Sequence, residues 1–297
     1  MNKFMLDNEI KTILEKMNLK INNKDLFYKY LKIFSINKII DDYSEPFLNK
    51  EMTMFRDCVD TDQVINLIEF DKNISTHILK GILFFENKLK NVVISKWLNF
   101  YNLDNPKIYN FSKEELLKLI PNIELCNDLE FNKFRYSLFE HASHSEILSH
   151  YSSLTDMPII ELSYSWTLAT IINFYRVLDN EIQKDILTEL YISPQFHSIF
   201  HKMLNVVLKL RNMISHNNVL YNFRFRLYHI EFNKIFFSIK KSNSSIDKYV
   251  SIDKICSFID YVIGMKVCVE ALNTEIKKVS LNNYSKEYII KLIYGLF

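Results

Sequence analysis

The chain has almost no glycine. Among 297 residues only Gly81, Gly264 and Gly295 occur, where average usage would supply about 20. No two of them are close enough to build a phosphate-cradling loop, which needs clustered glycines to bring backbone N–H groups against the anion. Turn-rich β-sandwiches and propellers are disfavoured too, because their tight turns need residues that tolerate positive φ. Few glycines and five prolines favour an all-α chain with short polar connections. Hydrophobic residues make up 48% of it, enough to bury a sizeable core.

Apolar spacing predicts where the helices lie. Leu26, Phe27, Tyr30, Leu31 and Phe34 share one helical face between Lys24 and Ile40, and Pro46 penalises helical geometry at Glu45. Ile74, Ile78, Ile82, Phe85, Leu89 and Val92 mark a long helix reaching Trp97. Ser112 and Glu115 form a capping box, and Pro121 to Glu130 reads as loop. Phe131 to Tyr151 reads as a helix with a polar middle. Asp156-Met157-Pro158 starts a further helix running from Ile159 to about Val177. After Ser193-Pro194, the residues Phe196, Phe200, Met203, Val207, Leu210 and Ile214 trace one stripe ending at His216-Asn217-Asn218. Phe223 to Leu227 alternates with period two, and with Lys234 to Lys240 it predicts one small β-hairpin. Ser242 to Ser245 is a polar loop, and Ile252 to Val279 returns to helix. There are no repeats and no linker that would separate two domains.

Net charge is only +2, with 37 Lys and Arg against 35 Asp and Glu. It is unevenly spread. Between His201 and Lys241, eight basic residues face Glu231 alone, and three of the six arginines fall in this window. The plain reading of such a run is a solvated face; the alternative is an electrostatic footprint for nucleic acid. Cys58, Cys126, Cys256 and Cys268 form no C-x-x-C pair, so a disulfide framework is not expected. The opening residues do not resemble a signal peptide and no apolar run is long enough to span a membrane, so the expected compartment is the cytosol.

Inside the basic window, Arg211 follows Leu204, Val207 and Leu208 at the edge of the apolar stripe, where a guanidinium needs an anionic partner. Asn205, Lys209, Asn212 and His216 fall at i, i+4, i+7 and i+11 and form one polar stripe. The helix therefore ends with Arg, Asn and His together. The plain reading is an Arg paired with a carboxylate and a His capping the last carbonyls. The spacing R-x(4–6)-H, with four to six residues between Arg and His, arises roughly 0.5 times by chance in such a composition, and it occurs three times: Arg135 to His141, Arg211 to His216 and Arg224 to His229. Context favours Arg211, since His229 falls in the expected strand and Arg135 has only Lys133 as a basic neighbour. His141, His144 and His150 raise the question of a metal, but their spacing lacks the pattern of a zinc site, and no metal or cofactor is expected.

Three stretches then resemble a known family. One is Phe70-Asp71 followed by a helix with Glu86 and, four residues later, Lys90. Another is Met157-Pro158 with Glu161 and Ser165-Trp166-Thr167-Leu168. The third is Arg211-Asn212, His216 and Leu220-Tyr221-Asn222. Their content and order are similar to the bacterial abortive-infection proteins of the AbiD/AbiF type, as is the early tract leading to Pro46-Phe47. The resemblance covers roughly residues 10 to 275. It implies an all-α, HEPN-like helical bundle: a single unit with an N-terminal helical extension over about 1–60 and a core over about 61–297 carrying an R-x4-H ribonuclease motif. The motif type is shared with RNA-cleaving type VI CRISPR effectors. Arg211 and His216 match the catalytic pair and Asn212 the polar residue after the Arg. The chain departs from the family at Lys90, where Arg is usual, at Tyr221, where Trp is common, and at Asn217, where a second His is frequent.

RNA carries its own nucleophile, the 2′-OH. Histidine can move the protons, arginine can stabilise charge on the transition state, and no metal is required. One His per chain is thin for two proton transfers, so a symmetric homodimer is expected. Lys209, Arg224, Arg226, Lys240 and Lys241 are the candidate RNA-backbone contacts. The expected function is a metal-independent endoribonuclease of toxin type acting in phage defence, with a small structured RNA as a candidate restraint. The alternatives are a non-catalytic RNA- or protein-binding module and a helical scaffold with no nucleic acid.

Overall fold

The computed structural model describes residues 3–107, 112–122, 136, 138, 150–151, 153, 156–240 and 249–296. Cys126, Arg135, His141, His144, Lys241 and most of the stretches expected as loop after Pro121 and as helix after Phe131 lie outside the described residues. Those residues form thirteen α-helices and no sheet; the only strand-like pairs among them are isolated bridges. The all-α expectation holds.

The centre is α4, Thr61–Phe100, which is 40 residues long, or about 60 Å at 1.5 Å per residue. Asp60 starts it by accepting the backbone N–H of Gln63 at 3.0 Å. Ile74, Ile78, Ile82, Phe85, Leu89 and Trp97 are all buried, so the stripe legible in the sequence is the core itself. The helix begins 13 residues before Ile74, because Val64, Ile65, Leu67 and Ile68 extend the same burial toward its N-terminus.

The other helices wrap this axis. α1 (Lys3–Lys16), α2 (Lys24–Leu31) and α3 (Ile36–Tyr43) come first, and α2 and α3 pack on α4. Ser35 caps α3 through the N–H of Lys38, which splits the single helix expected over residues 24–40. α5 (Lys113–Leu119) opens with the expected capping box and receives the Trp97 indole N–H on the Leu119 carbonyl at 3.0 Å. α6 (Ile159–Tyr164), α7 (Leu168–Val177), α8 (Asn180–Glu189) and α9 (His197–Ser215) each lie against α4. α10 (His229–Lys240) packs on α9; α11 (Ile252–Ile263) and α12 (Val267–Lys278) return to α4, and α13 (Asn283–Tyr294) closes on α11.

Three expectations about local structure are corrected. The hairpin predicted over Phe223 to Lys240 is absent: residues 229–240 are helix α10, because Phe232, Ile235 and Phe236 bury a 3.6-period face. The alternation at Phe223 to Arg226 is real, but it meets only Val250, and Tyr228 at φ 60° turns the chain straight into α10. The helix expected from Ile159 to Val177 is broken at Ser165-Trp166-Thr167, where Thr167 caps α7 through the N–H of Thr170. The helix expected from Ile252 to Val279 is broken at Gly264, which adopts φ 75°, while the Asp260 carboxylate accepts the first N–H groups of α12 at Cys268 and Val269, both at 2.9 Å. Among the described residues, no helix is long and apolar enough to cross a membrane.

Gly81 lets α12 approach α4. A Cβ there would lie 2.1 Å from Cys268 Sγ. Gly81→Ala should therefore destabilise the fold by about 1–2 kcal/mol, despite the better helix propensity of Ala. In a Cys268→Ala background the same substitution should instead stabilise by about 1 kcal/mol. Urea denaturation of the four proteins checks this; equal effects in both backgrounds would show that Cys268 is not the obstacle.

Candidate active site

The site is built around the end of α9. The turn at Pro194–Phe196 starts the helix. Phe200, Met203, Leu204, Val206, Val207 and Leu210 fill its buried face. The polar stripe faces outward as expected: Asn205 and Asn212 are half-buried, Lys209 and His216 exposed. His216 is the C-cap residue, its backbone N–H donating to Asn212 O at 3.0 Å. Asn217 then adopts φ 56°, its N–H donating to Ile214 O and that of Asn218 to Met213 O, both at 3.0 Å. This is a Schellman ending with Asn in the left-handed position usually taken by glycine. The departure at Asn217 thus has a backbone role, directly after the exposed His216.

The chain beyond His216 is tied to α4 by one side chain. Asp71 Oδ1 accepts the backbone N–H groups of Leu220 at 2.8 Å and Tyr221 at 2.7 Å, and its Oδ2 accepts the Tyr43 hydroxyl at 3.1 Å. Lys72 Nζ stands 3.4 Å from that oxygen and donates to Asn217 O at 3.5 Å. Asp71 is fully buried. Burial pushes its carboxyl above the ordinary range, while Lys72, the two N–H groups and Tyr43 oppose that rise. Burial, with Asp71 beside it, also pushes the Tyr43 hydroxyl up, so it remains a donor. Tyr221 is buried, stacks on Tyr43 with centroids 6.0 Å apart, and donates its hydroxyl to Asp42 O at 3.1 Å. Tyr221 is thus both packed in the core and anchored through its hydroxyl.

Arg211 lies deeper than His216. Five residues along a helix separate the two by about 140° around the axis and about 7.5 Å along it. Arg211 is half-buried, with Nε sealed from solvent and without a hydrogen-bond partner. Its charge acts on Glu86 in the middle of α4. The backbone of Leu168, the first residue of α7, also acts on the Glu86 carboxyl, which therefore faces the break that separates α6 from α7. Burial raises the Glu86 carboxyl, opposed first by Lys90 and then by Arg211. Burial lowers the Lys90 ammonium, opposed by Glu86. At the start of α6, Asn105 holds both the N–H of Ile160, at 3.0 Å, and Glu161 Oε2, at 3.1 Å.

A protein-family model described as Abi-like protein matches residues 29–222, about two thirds of the chain. The chain belongs to the Abi-like protein family. No curated protein and no solved structure matches it. In this Abi-like chain the matched span contains every member of the two buried carboxylate clusters, Asp71 with Tyr43, Lys72 and Tyr221, and Glu86 with Lys90 and Arg211. The match ends at Asn222, just past the loop that Asp71 holds.

The candidate RNA contacts are dispersed along the Abi-like chain. Lys209 shares the exposed stripe of His216. Arg224 is exposed, with its guanidinium 5.1 Å from the Tyr249 ring centroid, and its charge acts on Tyr288 of α13. Arg226 is exposed and its carbonyl lies 2.6 Å from His229 Nδ1. Lys240 is exposed at the end of α10, 5.9 Å from the Phe236 centroid. Arg224, Arg226, Lys240 and Lys241 all follow the matched span. Among the described residues no three His, Cys, Asp or Glu side chains are grouped to hold a metal ion, and His150 is exposed.

Sequence reasoning quoted Asp71, Glu86 and Lys90 without a role and missed Tyr43. The available signal was a charge on an apolar stripe: Asp71 precedes Ile74 and Ile78 at i+3 and i+7. Asp71→Ala should destabilise the protein by about 3 kcal/mol and speed amide exchange at Leu220 and Tyr221 before other loops respond. Hydrogen exchange read residue by residue tests this; unchanged protection at those two amides would mean that something else holds the loop.

Proposed function

We propose that this Abi-like chain is a metal-independent endoribonuclease of abortive-infection type, a HEPN-like toxin acting in phage defence in the cytoplasm. The observation that supports this best is the convergence of the resemblance-bearing stretches on the end of α9, with an exposed His216 and a half-buried Arg211. In this reading His216 removes the 2′-OH proton, the 2′-oxygen attacks phosphorus and the 5′-oxygen leaves with a proton. The products are a 2′,3′-cyclic phosphate and a 5′-OH. Arg211 stabilises the charge that develops on the phosphoryl oxygens, and Asn212 orients the phosphate from the adjacent position.

One His serves one proton transfer at a time. The second acid–base group comes from a second copy, with the ends of α9 apposed across a two-fold axis. The exposed position of His216 and the wide angle between it and Arg211 favour that arrangement over a site closed within one chain. Lys209, Arg224, Arg226, Lys240 and Lys241 track the RNA backbone. Residues 1–60 act as a helical extension to the core at 61–297, and a small structured RNA restrains the toxin.

A second reading has its own observation. The charge of Arg211 acts on the buried Glu86 and His216 caps a helix, which are structural roles that need no RNA. In that reading the chain binds RNA or protein without cleaving. Expression in a bacterial host separates the two. Wild type should arrest growth and fragment total RNA, and His216→Ala should do neither at equal abundance. Arrest with intact RNA, or fragmentation that survives His216→Ala, would refute the ribonuclease. Cleavage by purified protein should persist in EDTA; strict dependence on Mg²⁺ or Zn²⁺ would reject the mechanism.

A further inference from the structure

The polar face of α9 continues well beyond the candidate site. His201, Asn205, Lys209, Asn212 and His216 fall at i, i+4, i+8, i+11 and i+15, so they share one side of the helix. At 1.5 Å per residue, His201 stands about 22 Å from His216 along the axis. α7 packs beside α9. The Tyr175 hydroxyl donates to His197 O at 2.9 Å, and the Tyr175 and Phe200 rings meet with centroids 5.5 Å apart, so the last turn of α7 lies against the first turn of α9. Arg176 follows Tyr175 in that last turn and is exposed, as is Asn173 one turn earlier.

The polar heads along this groove are unspent. Among the described residues, no hydrogen bond or ion pair engages the side chains of Asn173, Arg176, Asn205, Lys209 or Asn212. Nearby acids are already engaged. Asp179 caps α8 by accepting the N–H of Glu181 at 2.7 Å, and Glu231 of α10 holds Lys202 at 2.8 Å. Arg176 therefore stands near His201 without an anion of its own. Burial lowers the half-buried His201 imidazole, and the charges of Arg176 and Lys202 lower it further. Cations spaced along a groove with amides between them suit a strand that carries its charges at intervals. Amides bond to base edges, which are open in a single strand and out of reach in the narrow major groove of an RNA duplex.

We propose that the groove between α7 and α9 is a second subsite for single-stranded RNA, in which Arg176 and His201 hold a backbone phosphate about 22 Å from His216 while Asn173, Asn205 and Asn212 bond the nucleotides between. At about 3.4 Å per stacked nucleotide, the two ends of the track are about seven nucleotides apart. The subsite takes no part in breaking the bond. It selects strands long enough to reach Arg176 from His216. The inference rests on the ribonuclease reading only for cleavage at His216; binding along the groove does not depend on it.

Binding is read by fluorescence anisotropy with 2′-O-methylated oligoribonucleotides of mixed sequence, which cannot be cleaved by 2′-OH attack. Arg176→Ala, or Arg176→Gln if the first variant does not fold, should weaken a 14-mer at least fivefold and a 4-mer less than about twofold. It should also flatten the slope of log affinity against log salt by about 0.7, the loss of one phosphate contact, and Arg176→Lys should restore that slope. Lys29→Ala, an equal change of charge on the exposed side of α2, should alter binding less than about twofold. Cleavage is read with strands carrying one ribonucleotide among 2′-O-methylated neighbours. With ten nucleotides on one flank of that ribose, Arg176→Ala and His201→Ala should each lower kcat/KM at least fivefold. Trimming the same flank to three nucleotides should abolish the difference, and the rate at saturating protein should stay within about twofold throughout. Wild-type affinity for the 14-mer in Arg176→Ala, an equal loss on the 4-mer and the 14-mer, an equal loss in Lys29→Ala, or tighter binding of the corresponding duplex would overturn the proposal. A length-dependent loss of binding in a protein that cleaves no RNA would sustain the proposal and overturn only the ribonuclease reading.

Discussion

The carboxylate of Asp71 is the interaction on which the candidate site depends. It has no contact with solvent, and two backbone N–H groups, a tyrosine hydroxyl and a lysine gather around it. A buried carboxylate is tolerated only when such donors are present, and each donor here comes with a different part of the fold. Tyr43 brings α3, Lys72 belongs to α4, and Leu220 and Tyr221 bring the loop that leaves α9. Satisfying one side chain fixes where the end of α9 stands relative to α4. It therefore fixes where His216 meets solvent.

Glu86 does the same four turns further along α4. Burial raises its carboxyl, and Lys90, Arg211 and the backbone of Leu168 at the start of α7 oppose that rise. The break between α6 and α7 is therefore part of the site, since an unbroken helix would already use the N–H of Leu168 within its own ladder. The stretches that carry the family resemblance lie far apart in sequence and meet here because each supplies a polar group that another has buried. The two clusters differ in completeness. Asp71 is saturated with donors, which suits a fixed anchor, whereas Glu86 retains a buried oxygen without a hydrogen-bond partner.

Much of this fold is legible in the sequence wherever burial sets the pattern. The stripes from Ile74 to Trp97 and from Phe200 to Leu210 are helices because one face of each meets the core. The misreadings fall where a local hydrogen bond competes with periodicity. Ser165 to Thr167 looks helical in composition, but the Thr167 side chain caps α7 through the N–H of Thr170. Phe223 to Arg226 alternates as a strand should, yet a hairpin needs a partner strand, and residues 229–240 bury a helical face instead. The Arg and His of the site were visible as a motif in a basic window. The carboxylates that place them were not, because nothing local says that Asp71 and Glu86 point at backbone and side chains from segments that arrive much later in the chain.

The most direct measurement is single-turnover cleavage of a defined RNA at saturating protein, in chelator, with the product ends identified. The account predicts 2′,3′-cyclic phosphate ends from the wild type. It also predicts a rate lowered on the order of a hundredfold in Arg211→Lys, which keeps the charge and loses the fork. Cleavage by Arg211→Lys at close to the wild-type rate, or products ending in a 3′-OH, would contradict it.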